Sequence, residues 1–263
     1  MRTEPQSELT LDFPHQVSIS KRLLDHGRAI FEEREIPAER KDVIFIALAD
    51  KCFTTSNAIL VLCESAHVED ALCLLRVLIE AVITGGYLLI SDPKVADDYA
   101  DYPQYSNWKQ FQALQATSPE ISMDMTPEEI EEMQENHDRV KDRYDKYRGE
   151  WTADNIFKRA KKLDEAAGLN VYRSLMNVGW RKASAFVHST AASLESKITA
   201  DQLNVKIQRE VTPRDGAGVL YSSNMAMLAL TALVDLRFGK KKVAQWKEIY
   251  EEWCGEEIKA TLA

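Results

Sequence analysis

Apolar residues recur at helical spacing along most of this chain. Residues 16–35 predict a first helix, stopped before Pro37. A second spans 38–66 and carries Val43, Ile44, Ala47, Leu48, Phe53, Ala58, Leu60 and Leu62. Pro37 suits its start, where a missing N–H costs nothing. The third is the run 69–90, closed by Ser91-Asp92-Pro93. Short loops between successive helices favour antiparallel neighbours, the beginning of a bundle.

The middle of the chain reads differently. Residues 92–117 are aromatic and polar, with Tyr99, Tyr102, Tyr105, Trp108 and Phe111. Thr126-Pro127-Glu128-Glu129 forms a capping box with proline at the first helical position. The helix that follows places Ile130, Met133, His137, Val140, Tyr144 and Tyr147 in one narrow stripe, and nearly all its other positions are charged. Residues 118–150 therefore predict a charged insertion that projects from the body, with His137 as a stripe residue. Further helices are predicted over 153–166, ended by Gly168, and over 170–195, 217–238 and 241–262. Residues 203–213 alternate weakly, as an extended strap would.

The fold class this predicts is all-α: a helical bundle of about seven to eight helices with one projecting helix or helical hairpin. Residues 1–15 read as a disordered lead, and 16–263 as a single helical domain.

Composition supports that class. Gly (10) and Pro (8) are scarce in 263 residues, whereas a sandwich needs turn signals every ~8–12 residues. The net charge of −9 argues against a general attraction to nucleic acid or anionic lipid. Cys52, Cys63, Cys73 and Cys254 show no metal-type spacing and are expected as reduced thiols of a cytoplasmic protein. The first sixteen residues contain no apolar core of a signal peptide.

Candidate chemistry centres on ALCLLRVLIEAVITGGYLLI, residues 71–90, where Arg76 and Glu80 stand four apart on one helical face. The stretch is long enough to cross a bilayer. Each charge near its centre would cost roughly 3 kcal/mol on insertion, so the expectation is a buried helix and no membrane. The pair either fixes helix register as an ion pair or faces a ligand in a bundle cavity. Gly85 and Gly86 follow one turn later, and each weakens a helix by roughly 1 kcal/mol, which calls for a packing or site reason. A second polar group set comes from the helix with Tyr172 near its start: Arg181, Ser184 and His188 share a face. Histidine suits acid–base work near neutral pH, and arginine suits a phosphate or oxyanion. Alternatively, His188 is a hydrogen-bonded core histidine and Arg181 a solvated surface charge. Glu64-Ser-Ala-His67 is one Glu-x-x-His unit, but a di-iron bundle needs a second, and none is present. No metal and no cofactor are expected.

Residues 71–102 resemble the arginine helix of a bacterial all-helical domain family of unknown function, which carries alanine-leucine-arginine, a glutamate one turn on, an aspartate-proline and then a tyrosine. Here these are Arg76, Glu80, Asp92-Pro93 and Tyr99. The family's later mark, a tyrosine and then a serine shortly before a valine-histidine, is matched by Tyr172, Ser184 and His188. The resemblance covers roughly residues 40–195 and implies no activity. A looser resemblance is to HEPN helical domains, many of them metal-independent ribonucleases of toxin–antitoxin and phage-defence systems, marked by an arginine and a following histidine. It implies a dimer in which Arg181 and His188 are catalytic, with RNA as substrate: His188 as base for a 2′-hydroxyl, Arg181 on the phosphate. Arg76, Glu80, Tyr172 and Ser184 would then line the cleft as binding residues.

Two functions follow as expectations. One is a HEPN-like ribonuclease of a stress or defence system. The other is a non-catalytic helical module that binds a ligand or a partner. A homo-oligomer, with RNA or a partner protein, is expected in either case.

Overall fold

A computed structural model of the chain describes residues 12–32, 39–118, 125–147, 149–168, 170–188, 198–200, 205–207, 213–238, 248–249 and 251–253. The helices are α1 (Phe13–Glu32), α2 (Arg40–Glu64), α3 (Val68–Ile90), α4 (Pro93–Thr117), α5 (Pro127–Asp145), α6 (Ile156–Ala167) and α7 (Val171–Ser174). A π-helical segment (Leu175–Trp180) continues α7 directly into α8 (Arg181–Val187), and α9 (Pro213–Phe238) closes the described bundle. The class is all-α. Among the described residues the only sheet is an antiparallel pair, β1 (Ile198–Ala200) with β2 (Val205–Ile207), in register Ile198 to Ile207. Part of the expected strap is thus a strand. Most of the expected 1–15 lead, the end of the 170–195 helix and most of the 241–262 helix lie outside the described residues.

The principal core forms where α1, α2, α3, α6, α7 and α9 meet, around Phe45, Leu75, Ile79, Ile83, Leu163 and Leu230. The paired glycines of α3 have a packing reason. A Cβ on Gly86 would stand 2.8 Å from Leu233 and 3.0 Å from Leu163, and one on Gly85 would stand 3.1 Å from Phe45. Any side chain at Gly86 would make Leu233 and Leu163 give way where α3 meets α9 and α6. Asp42, fully buried at the start of α2, receives Arg237 of α9 through Nε at 2.7 Å and Nη2 at 2.9 Å.

The aromatic stretch 92–117 is a full helix, which its polar composition had hidden. Asp92 caps it by accepting from the Lys94 N–H at 2.9 Å, and Pro93 occupies its first turn. Its buried side is sparse but regular: Ala96, Tyr105, Trp108 and Phe111. Against that side lies α5, opened by the predicted capping box, with Thr126 N–H donating to Glu129 Oε2 at 2.7 Å. The two form a helical hairpin with a second buried cluster at its base, built on Tyr87, Leu88, Tyr105, Tyr144 and Trp151. His137 is a stripe residue, its ring stacked on Tyr105 at 5.4 Å.

The expectation of no membrane is overturned. Arg40–Glu64, Val68–Ile90 and Asp215–Val234 are each long and apolar enough to cross one, by length and composition. The insertion cost expected for the run 71–90 counts Arg76 and Glu80 as isolated ions. Side by side they neutralise one another, so that cost is overstated. The three candidate spans leave the localisation open. Burial within the bundle covers 72% of the apolar window in α9 but only 39% in α2, so α2 is the helix whose apolar length the fold explains least.

Candidate functional site

On α3, Arg76, Glu80 and Thr84 recur every fourth residue and so share one face. That face forms one wall of an open cavity of about 610 Å³, within the range of ~300–1,000 Å³ usual for small-molecule sites. Arg159 of α6, Trp180 of the π segment and Trp151 and Asp154 from the connection before α6 form the other walls.

Arg76 is held on three sides. Its Nε donates to Glu80 Oε1 at 2.9 Å, its Nη1 meets His188 Nε2 at 2.8 Å, and its guanidinium lies 5.0 Å from the Trp180 ring centre. Arginine offers only donors, so His188 accepts on Nε2 and carries its proton on Nδ1. Glu80 Oε1 also accepts the Trp180 indole N–H at 2.8 Å. The π segment supports this: the Arg181 N–H reaches Met176 O, five residues back, a widened turn of the kind that recurs at functional sites. Gly179 brings the segment onto α3, where a Cβ would stand 2.7 Å from Ile79. The Arg76 and Glu80 side chains are 22% and 40% exposed. They line a cavity rather than lying sealed in the core, and solvent screening holds the pair to ~1 kcal/mol or less.

Arg159 is differently placed. It is half-buried, donates through Nε to Asp154 O at 2.9 Å and through Nη1 to Thr84 Oγ1 at 3.1 Å, and lies 4.7 Å above the Trp151 ring. Burial lowers its pKa, and Glu150 is the first charge to oppose that. Among the described residues it makes no ion pair, and Nη2 has no hydrogen-bond partner. Asp154 is already engaged: the Tyr87 hydroxyl donates to its Oδ2 at 2.7 Å, and Lys162 bonds the same oxygen. Burial works against its charged form, but Lys162 and Tyr87 outweigh burial and hold its pKa below the usual carboxylate range.

Of the residues singled out in the sequence, Arg76 and Glu80 line the cavity, and His188 joins them through Arg76. The others do not reach it. Arg181 is exposed, its guanidinium 5.5 Å from the Phe157 ring centre, and it shares no contact with His188 among the described residues. The Ser184 hydroxyl is buried with no hydrogen-bond partner among the described residues. Tyr172 is a core residue at the start of α7, where burial pushes its hydroxyl pKa strongly up. Glu64 pairs with Lys21 at 2.8 Å, apart from His67, and no metal-holding group occurs among the described residues. Arg159 and Trp180 were not among the residues expected from the sequence. Neither belongs to a motif, and the one available signal was a tryptophan next to Arg181.

Over residues 42–204 the chain matches the family of unknown function DUF5677. It belongs to that family. The matched span of DUF5677 holds the whole cavity wall, from Leu48 to Trp180. Membership brings no activity with it, and no curated protein and no solved structure matches the chain.

Proposed function

We propose that this DUF5677 chain is a helical binding module whose cavity between α3, α6 and the π segment takes a small polar molecule. The observation that carries this reading is the fixed polar wall. Arg76 is oriented by Glu80, Trp180 and His188, and Arg159 by Thr84 and Asp154. Groups held in place before a ligand arrives spare the entropy of ordering them on binding. The ribonuclease alternative is less favoured, because it needs Arg181 on a phosphate and His188 free beside it to take the proton of a 2′-hydroxyl. Arg181 is turned toward Phe157, and His188 is committed to Arg76.

The test is a thermal-shift panel of small carboxylates, phosphates, amines and amino acids on the purified chain, repeated on Val77→Trp. Val77 lines the cavity and is partly exposed, so a larger side chain there fills space without disturbing the core. A ligand at ten times its Kd should stabilise by about 1.4 kcal/mol, a rise of roughly 3–5 °C for a chain of this size. A panel that leaves the wild type unmoved, or a shift that survives Val77→Trp, defeats the reading.

A further inference from the structure

We infer that the ligand of this cavity is an amino acid with a bulky side chain, its carboxylate bound by Arg159 and its ammonium by Glu150. This rests on the reading of the cavity as a small-molecule site.

Charge balance leads to the class. The walls hold three basic residues, Lys51, Arg76 and Arg159, and three acidic ones, Glu80, Glu150 and Asp154. Arg76 and Glu80 are committed to each other, and Asp154 to Lys162 and Tyr87. Lys51 is exposed and solvated. That leaves Arg159, half-buried with Nη2 unpartnered, and Glu150, exposed and without an ion pair among the described residues. The two are near enough for Glu150 to be the leading charge acting on Arg159, yet no salt bridge joins them. Lys51 likewise makes no ion pair among the described residues, but Arg159 is the half-buried cation with an open fork, and Glu150 is the leading anion acting on it; such a pair suits a dipolar ligand.

Single-signed ligands fit less well. An anion on Arg159 would stand within reach of Glu150, Glu80 and Asp154, the carboxylates that already act on that guanidinium. A cation at Glu150 would meet the field of Arg159. A zwitterion answers both groups at once. Its carboxylate completes the Arg159 fork, a charge-assisted bond that is stronger than a neutral one. Its ammonium gains Glu150, in a cavity that Tyr99 and Tyr147 also line. An amino-acid head fills only a small part of about 610 Å³, and Val77, Ala81 and Ile156 supply apolar wall for a large side chain.

The experiment is calorimetric titration of the full chain with L-phenylalanine, 3-phenylpropionate, which lacks the ammonium, and phenethylamine, which lacks the carboxylate. L-Phenylalanine should bind about tenfold or more tighter than either analogue. Arg159→Met and Glu150→Gln should each weaken it about tenfold, with far-ultraviolet circular dichroism unchanged. Glu150 is exposed, so its variant is free of folding effects even if the Arg159 variant is not. Equal or tighter binding of 3-phenylpropionate, or L-phenylalanine binding untouched by Glu150→Gln, overturns the dipolar assignment. The cavity reading survives that outcome if Val77→Trp still blocks the titrant. Should none of the three bind, the amino-acid inference is wrong, and the cavity reading is decided separately by the broader panel.

Discussion

Asp164 offers the sharpest test of how the fold holds the cavity wall in place. It sits on α6 with a fully buried side chain. Its Oδ1 accepts the Tyr172 N–H at 3.0 Å, and its Oδ2 accepts the Arg173 N–H at 2.9 Å and Arg173 Nε at 3.0 Å. One carboxylate thus caps the helical run that goes on to carry Trp180 and His188. Asp164→Ala removes all three bonds. Arg173 is half-exposed and finds water again, so its side-chain bond adds little. The Tyr172 amide lies under a buried residue and is left without an acceptor. With ~1.5–3 kcal/mol for a hydrogen bond to a charged group and ~1–3 kcal/mol for a buried orphan donor, the expected loss is about 3 kcal/mol. For a chain of this length that lowers Tm by about 6–12 °C. Asp164→Asn keeps one acceptor oxygen and should lose about half as much. Urea denaturation followed by circular dichroism measures both, with an unchanged m-value expected. A loss below about 1 kcal/mol for the alanine variant would refute the capping role.

Other measurements probe neighbouring parts of the same reasoning. Gly86→Ala pushes a methyl into Leu233 and Leu163 and should cost about 1–3 kcal/mol. Gly218→Ala meets nothing within 4 Å in the second turn of α9 and should stabilise by about 0.5–1 kcal/mol; thermal unfolding showing the same sign for both would contradict the packing described. Burial pushes the Cys52 and Cys63 thiols up to about 12, so at pH 8 only about one in ten thousand is thiolate. Iodoacetamide should label them only after unfolding, and rapid labelling of the native chain would show the core to be open there. Glu80→Gln keeps an acceptor for Trp180 but loses the ion pair, and with Glu80 40% exposed the cost should stay near 0.5–1 kcal/mol. Glu80→Ala, which removes that acceptor as well, should shift tryptophan emission to longer wavelength; unchanged fluorescence would mean that Glu80 does not hold the indole.

Much of the helical order was legible because it rests on local rules. The capping box at Thr126 and the apolar periodicity of α2, α3 and α9 each act within a few residues of sequence. The helix 93–117 was missed because its buried stripe is one-sided and aromatic, and a polar majority masks such a stripe until a partner helix covers it. The membrane expectation failed for a related reason: a charge was scored without its neighbour.

Sequence by itself determined an all-α chain with Arg76 and Glu80 on one helical face, four residues apart, because helix geometry fixes that relation without reference to the rest of the fold. It also led to the expectation of His188 on a second helix, whereas the structure ends that helix at Val187 with His188 as its C-cap. Only the tertiary structure decided that His188 meets Arg76 while Arg181, seven residues earlier, faces Phe157. It alone brought Arg159 and Trp180 to the same cavity. Those relations join residues about a hundred positions apart, and they depend on how closely α3, α6 and the π segment pack. That closeness is set by Gly86 and Gly179, where a missing side chain lets two helices touch, a fact no local pattern encodes.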